Sequence, residues 1–321
     1  MGFTEKISIV NLVNPVILSK KSRSRRLISF CVKPGSTHGI RGSCICFLIF
    51  LSIFLSTFAT LAQEAVIPSK SVISVRQVAK APDIDGLSSD ECWERAGSSE
   101  IEIAFSWVEK IKGMISVSRE DGNIYFLLKI PCETENLEHC MWHWDPVEQV
   151  YSEGEEKEDT VQIMLAQKPA KNSFADLWIW RSARNSSSGY ADDFHCSATG
   201  GESRDEDFIP AEGLKYAPDS GKLPWFSKYF AKFAGEKLPR FYQRRAEGSA
   251  GDVKCSAKWK DGVWTIELSR KLDTGRPDDL VFSPGSPLYF IVIWNSSLGA
   301  YKGGTVYKLE FNATDKAIEN P

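Results

Sequence analysis

The chain has 321 residues, of which 42% are hydrophobic and 25% charged, and its formal net charge is -3. These values are typical of a soluble globular protein that buries a real core, as one large β domain or two ordinary domains. The charge balance gives no basic surface, so nucleic acid is excluded as an expected partner. The ten tryptophans are the compositional outlier. They indicate ring-lined pockets, an interface, or ordinary filling of a β-sandwich.

Residues 1–62 are expected to form a leader and not part of the fold. A basic run at Lys20–Arg26 precedes the uncharged, mostly apolar segment Ile45–Phe58. About fourteen residues suit a signal-peptide core, whereas a membrane span needs about twenty. Small residues at Thr60 and Ala62 place a cleavage site before Gln63. We therefore expect export to the periplasm or an equivalent extracytoplasmic compartment, with retention by an uncleaved leader as the alternative.

Five cysteines remain after the leader, and an odd number in an exported protein predicts a free thiol or a bond to another chain. A Cys132–Cys140 disulfide would close a short loop. No Cys-x-x-Cys-His motif is present, so covalent attachment of a c-type haem is not indicated. The spacing of His139 and His143, with cysteines nearby, is a weak zinc signal. Two solvated or hydrogen-bonded histidines are the favoured interpretation.

After a linker at residues 63–71, alternating apolar residues predict a series of short strands separated by turn residues. The residues 131–158 and 197–257 are predicted to be long loops, and the second of them is expected to bind a partner. About ten strands with little helix predict one antiparallel β-sandwich at residues 72–315, of the immunoglobulin or carbohydrate-binding-module type, with long irregular loops. The expected strands are Val72–Val78, Ile101–Phe105, Gly113–Ser118, Asn123–Ile130, Thr160–Gln167, Leu177–Arg181, Cys255–Trp259, Val263–Arg270, Pro287–Trp294 and Gly304–Phe311.

The sequence contains no arrangement typical of a hydrolase or transferase. Three histidines follow the leader, and neither Gly-x-Ser-x-Gly nor a phosphate-binding glycine loop is present. Asp192 and Asp193 are adjacent, and neighbouring residues on a strand point apart, so they are not expected to share a proton. The acidic run Glu155–Asp159 is predicted to be solvated. We therefore expect no catalysis by this chain alone.

An ordered series of short motifs resembles the ethylbenzene dehydrogenase-type haem-binding domain. That domain is the gamma subunit of exported molybdenum enzymes, and its relatives include the gamma subunits of dimethylsulfide dehydrogenase, selenate and chlorate reductases, and nitrite oxidoreductase. The resemblance covers about residues 72–311. The motifs that carry it are Asp83–Gly86 with Trp93, Lys157–Asp159, Trp178–Arg181, Gly189–Asp193, Gly262–Trp264, Arg270 with Thr274-Gly275, Asp279–Phe282 and Ile291–Asn295.

The resemblance implies one b-type haem, bound without covalent attachment, with its iron held between a methionine and a lysine. Met164 follows the Lys157–Asp159 motif on its strand and is the expected methionine, with Met141 as the alternative. Lys302 is the expected lysine and Lys308 its alternative, while a histidine such as His195 could replace one ligand. Thioether and neutral amine are both uncharged, and burial keeps a lysine deprotonated.

The remaining site residues follow from the same resemblance. Trp178, Trp180 and Trp294 are expected either to line the haem pocket or to pack the sandwich. Arg181 or Arg270 is expected to pair with a haem propionate, because guanidinium binds carboxylate in a bidentate manner.

The resemblance implies an electron-transfer subunit that is not catalytic by itself. It would pass electrons between an iron–sulfur beta subunit and an external carrier, such as a soluble cytochrome, while a molybdopterin alpha subunit performs the chemistry. Two alternatives stay open. One is a carbohydrate-binding module in which Trp178 and Trp180 stack on sugar rings, and the other is a haem-free paralogue kept for assembly.

Overall fold

The computed structural model describes residues 71–105, 109–167, 175–198, 214–283, 285–295 and 304–311. The predicted leader lies outside this part of the chain. Within it, no helix is long and apolar enough to cross a bilayer. The helices are α1 (Glu91–Ala96) and α2 (Ser182–Asn185). The strands are β1 (Val72–Gln77), β2 (Ser99–Ala104), β3 (Lys110–Glu120), β4 (Asn123–Pro131), β5 (Trp142–Asp145), β6 (Val150–Glu153), β7 (Thr160–Ala166), β8 (Ala175–Arg181), β9 (Asp192–Ala198), β10 (Leu214–Pro218), β11 (Gly221–Lys222), β12 (Trp225–Ser227), β13 (Lys237–Leu238), β14 (Phe241–Gln243), β15 (Glu247–Gly248), β16 (Lys254–Lys260), β17 (Val263–Lys271), β18 (Leu288–Trp294) and β19 (Tyr307–Phe311).

Twelve of these strands form one sheet in the order β10-β9-β8-β7-β18-β19-β1-β3-β4-β17-β16, with β2 bonded to both β18 and β3. The pairs β1–β19, β1–β3 and β2–β18 are parallel, and the other pairs of this sheet are antiparallel. The sheet folds over itself, because Trp178 on β8 meets Phe126 on β4 with ring centroids 5.5 Å apart. This arrangement confirms the predicted β-sandwich.

Both faces of the β7–β8–β18 layer are buried. The inner face packs against β4 and β17, where Trp180 and Trp264 lie 4.6 Å apart between ring centroids. Because side chains alternate along a strand, the intervening residues of β8 point to the other side. There they join a second apolar cluster, which we call the outer apolar face. It comprises Ala104, Met164, Ala166, Ala175, Leu177, Ile179, Cys196, Ile291 and Ile293.

The structure contains more strands than the roughly ten that the sequence predicts. Apart from β9, which was not predicted, the longer strands lie where alternation placed them, but both segments expected to be loops contain short strands. Residues 131–158 hold the hairpin β5–β6, and residues 214–248 hold β10 to β15. These eight strands have two to five residues each. A strand this short shows too few alternations to be recognised in a segment rich in charges and glycine.

Within the described residues, the structure tests the suggested disulfide bond and the weak zinc signal. The five cysteines are free thiols, so the suggested Cys132–Cys140 bridge is wrong. The Cys132 thiol donates to the carbonyl of Thr134 at 3.0 Å, whereas Cys140 precedes β5. His143 bonds Glu156 at 2.5 Å, while the His139 ring packs on Phe241. The two imidazoles have different neighbours, and no zinc-type cluster forms around them in this part of the chain.

Candidate functional site

Met164 lies at the centre of the outer apolar face. Its Cα partners are Leu177 on β8 and Ile291 on β18, and its side chain is 2% exposed. Gly304 packs on the same spot, since a Cβ atom there would lie 3.5 Å from Ile291. Lys302, the expected second ligand, lies outside the described residues, two positions before Gly304. Met164 and Gly304, which follows Lys302 by two residues, therefore both lie beside Ile291.

The alternative ligands Lys308 and Met141 are placed less favourably. Lys308 pairs with Tyr289 in the β18–β19 ladder, and its ammonium lies 3.5 Å from Glu310 on a partly exposed surface. Met141 directly precedes β5 of the separate sheet β13-β5-β6, where its N–H donates to Glu156. Neither residue belongs to the outer apolar face.

The three tryptophans lie on the opposite side of the sheet from Met164. Trp178, Trp180 and Trp294 are at most 3% exposed and belong to the core between the layers. These tryptophans were expected either to line a haem pocket or to pack the sandwich, and the structure shows that they pack the sandwich. The intervening sheet prevents these rings from lining one pocket with Met164. Their burial also excludes the expected stacking of Trp178 and Trp180 on a sugar.

The two candidate arginines also lie on different faces. The guanidinium of Arg270 is fully buried and bonds Asp176, Asp279 and the carbonyl of Leu280. It is committed to these groups, which corrects the expectation that it pairs with a propionate. Arg181 ends β8 on the side of the outer apolar face, and its Nε donates to Asp192 at 2.7 Å.

His195 is positioned on the inner side, so it cannot join Met164 as an alternative haem ligand. It stands opposite Asp176 in the β8–β9 ladder, and its Nδ1 lies 2.6 Å from Asp219 Oδ1. It borders a group of acids that lie far apart in the sequence. We call Asp193, Asp219, Asp278 and Asp279 the acidic cluster.

Burial dominates the electrostatics of the acidic cluster. Burial and the neighbouring carboxylates of Asp219 and Asp176 raise the pKa of Asp193 well above its ordinary value. Burial also raises the pKa of Asp219 to about 7, although the hydrogen bond from His195 opposes the shift. Asp278 differs, because hydrogen bonds from Ser220 and Ser249 outweigh burial and lower its pKa.

Glu158 and Asp159 are buried, which corrects the expectation of a solvated charge run for these two acids, whereas Glu155 and Lys157 of the same run are exposed. Asp159 accepts hydrogen bonds from the Asn136 N–H at 3.0 Å, Trp264 Nε1 at 2.9 Å and Asn295 Nδ2 at 3.2 Å. Glu158 accepts the backbone N–H groups of Ala183 and Arg184 at the start of α2 and pairs with the Arg184 side chain. Motifs far apart in sequence thus meet in one structural network.

A family model described as ethylbenzene dehydrogenase matches residues 115–304. The chain belongs to the ethylbenzene dehydrogenase family. This result confirms the predicted resemblance. The matched segment includes Met164 and Lys302 as well as the acidic cluster.

Solved structures with a similar course of the chain include a family 9 carbohydrate-binding module from Caldicellulosiruptor kristjanssonii. Its complex with glucose has 12% identity and a TM-score of 0.37, and the match covers 77% of this chain and 100% of that chain. The complex with cellotriose has 14% identity and a TM-score of 0.35, covering 78% and 99%. No curated protein sequence matches this member of the ethylbenzene dehydrogenase family.

Proposed function

We propose that the chain is the haem b-binding, electron-transfer subunit of an exported molybdenum oxidoreductase. Membership of the ethylbenzene dehydrogenase family supports this proposal. The observation that carries it is the position of Met164 on a buried apolar face, beside Ile291, on which Gly304 also packs. Lys302 is two residues from Gly304, so its Cα is at most about 7 Å from that of Gly304.

The outer apolar face fits the requirements of a haem on its methionine side. A porphyrin needs apolar surface, and this face supplies Leu177, Ile179 and Ile293 around Met164. A thioether is a known axial ligand of haem iron. In this proposal Arg181, at the end of the same strand face, would pair with a propionate while its Nε keeps the hydrogen bond to Asp192. Trp178, Trp180, Trp294 and Arg270 are given no part in haem binding.

Bound haem would supply reversible one-electron transfer. The protein would hold it with two uncharged ligands, the thioether of Met164 and the neutral amine of Lys302. Burial favours the neutral amine, because a buried ammonium loses hydration. The dry, apolar surroundings would then help to set the reduction potential.

The proposal places catalysis in other subunits. A molybdopterin alpha subunit would perform the chemistry, and an iron–sulfur beta subunit would exchange electrons with this chain, which passes them to or from an external carrier. Exposed aromatic residues in the segment after β10 support it as the docking surface for the iron–sulfur subunit. Phe226, Tyr229 and Phe233 are 40%, 70% and 58% exposed.

The proposal is tested by the visible spectrum of the purified full chain. We expect a Soret band, and a pyridine haemochrome assay should give one haem b per chain. A colourless protein that takes up no added haem would refute the proposal.

Variants then separate the ligand assignment from haem binding itself. Met164→Ala and Lys302→Ala should each change the spectrum and shift the reduction potential. The matched controls Met114→Ala, at a partly exposed position on β3, and Lys308→Ala should leave both unchanged. An unaltered spectrum for Met164→Ala would reject that ligand and leave the cofactor in place.

A further inference from the structure

The acidic cluster joins three separate parts of the fold. Asp193 lies on β9, Asp219 directly follows β10, and Asp279 lies in the connection between β17 and β18. Each offers a carboxylate oxygen within 4.8 Å of the other two. Their exposed fractions are 0%, 3% and 8%, so water outside the protein barely reaches them.

Asp193 points into this group without a hydrogen-bond partner. Neither of its carboxylate oxygens accepts a hydrogen bond. Asp219 Oδ2 also lacks a hydrogen-bond partner. The neighbouring acids differ. Asp278 accepts the Ser220 N–H and the Ser249 hydroxyl, and Asp176 accepts the Leu280 N–H. Buried polar atoms in native proteins nearly always have a partner, so an unmatched carboxylate indicates a ligand.

The local charges do not balance when the carboxyl groups of these acids are ionised. Five buried carboxylates meet at this place, and among the described residues the guanidinium of Arg270 is the cation that bonds them directly. A protonated His195 would add one positive charge, which still leaves an excess of negative charge. Burying several carboxylates without compensation is strongly unfavourable. The acids around Arg270 are Asp176, Asp193, Asp219, Asp278 and Asp279.

We propose that Asp193, Asp219 and Asp279 bind one Ca²⁺ ion. Calcium takes oxygen ligands at about 2.4 Å, so two oxygens on one ion lie at most about 4.8 Å apart. The three acids meet this limit. Asp193 has both oxygens available for bidentate binding.

In this proposal His195 is not a ligand of the ion but orients one of its ligands, Asp219. Its Nδ1 faces Asp219 Oδ1, whereas the other oxygen of that carboxylate, Oδ2, has no hydrogen-bond partner. An imidazole N–H that donates to a ligating carboxylate fixes the orientation of that carboxylate. The ligand set is therefore made of oxygen alone, which favours calcium over zinc and other metals that prefer nitrogen or sulfur.

The ion has a structural role and does not depend on the proposed haem. It connects β9 near the edge of the large sheet to the segment after β10. It also connects both to the loop that carries Asp278 and Asp279. Removing it leaves mutually repelling carboxylates at the junction of these segments, so the folded state should lose stability.

The first experiment measures bound metal and thermal stability of the full chain. Elemental analysis should find one calcium per chain. A chelator should lower the Tm by on the order of 5 °C, by loss of the ligand-linked stabilisation. Added Ca²⁺ should restore the Tm, and Mg²⁺ at the same concentration should not.

Asp193→Asn gives a sharper test because its effect should depend on calcium. With Ca²⁺ present, loss of the ligand should lower the Tm and abolish its calcium dependence. In chelator, the same substitution should lower the Tm much less, because no bound ion remains to be lost. Asp261→Asn, at an exposed hairpin turn, is the matched control and should keep the calcium response.

A spectroscopic signal locates the ion. Trp178 stands directly opposite Asp193 in the β8–β9 ladder, so its excitation should sensitise the emission of Tb³⁺ bound in place of Ca²⁺. Asp193→Asn and Asp219→Asn should lose that emission.

Three outcomes would overturn the proposal. The first is a metal-free protein whose Tm responds to neither calcium nor chelator. The second is a calcium response that survives in Asp193→Asn. The third is stabilisation by Zn²⁺ in preference to Ca²⁺, which would point to His195, Asp219 and Asp278 as a different site.

Discussion

At the scale of single residues, Asp159 shows how a motif acid can be structural. It is fully buried, and its two oxygens serve donors from three other parts of the chain. One of these donors, Trp264, also packs on Trp180 in the core. The acid therefore links the β4–β5 connection, β17 and the end of β18. Its burial is tolerated because these donors replace water around the charge.

Replacing this acid should have a large effect on stability. Asp159→Ala should cost about 3–5 kcal/mol of unfolding free energy, because it leaves several buried donors without an acceptor. Chemical denaturation followed by tryptophan fluorescence measures the change. Asp83→Ala, at an exposed position, is the control and should alter stability by less than about 0.5 kcal/mol. Equal losses for the two variants would contradict the assigned role.

At the scale of elements, the turn Asp83–Gly86 is fixed onto the β16–β17 hairpin. Glu267 of β17 accepts the N–H groups of Asp85 at 3.0 Å and Gly86 at 2.8 Å, and it accepts Trp93 Nε1 at 2.8 Å. Gly86 has φ +82°, and a Cβ atom there would lie 2.9 Å from the Ala257 backbone. This position needs glycine both for its conformation and for the close approach.

Two glycine substitutions separate these requirements. Gly262 has φ +80°, and a Cβ atom added there would meet nothing within 4 Å, so Gly262→Ala should cost only the left-handed strain of about 1–2 kcal/mol. Gly86→Ala adds a backbone clash and should cost about 1–3 kcal/mol more. Urea denaturation of both variants measures the difference. If Gly86→Ala is no worse than Gly262→Ala, the turn does not pack as described.

At the scale of the whole molecule, one layer of the sandwich separates two environments. Its inner face carries the tryptophan core and, near the β9–β10 edge, the acidic cluster. Its outer face carries Met164 and the apolar residues proposed to meet a haem. A single twelve-stranded sheet that folds over itself can supply both sites because alternate residues of β7, β8 and β9 point to opposite sides.

The proposed export of the whole chain has its own test. Mass spectrometry of the protein from the extracytoplasmic fraction should find Gln63 as the first residue. The reason is that a short apolar segment followed by small residues is read as a signal peptide. A full-length chain held in the membrane would instead support the uncleaved leader. Replacing Ala62 by a bulky residue should block the cleavage.

Several features followed from the sequence alone because their causes are local. Alternation gave the long strands other than β9, and Asp-Gly pairs gave the turns at Asp121-Gly122 and Asp261-Gly262, where all four residues have positive φ. The ordered motifs identified the family and directed attention to Met164. The short strands in residues 131–158 and 214–248 were missed, since pairing across the chain, and not local pattern, stabilises them.

Tertiary structure alone decided whether a residue of a strand faces the core or the other side of the sheet. The pattern around Met164 shows two apolar faces, and only packing of the second layer assigns Trp178 to the core and Met164 to the other side. The acidic cluster has the same origin. Asp193, Asp219 and Asp279 lie far apart in sequence and meet because the ends of distant strands converge at one edge. Contacts of that kind depend on how the sheet folds over, which no local pattern of residues specifies.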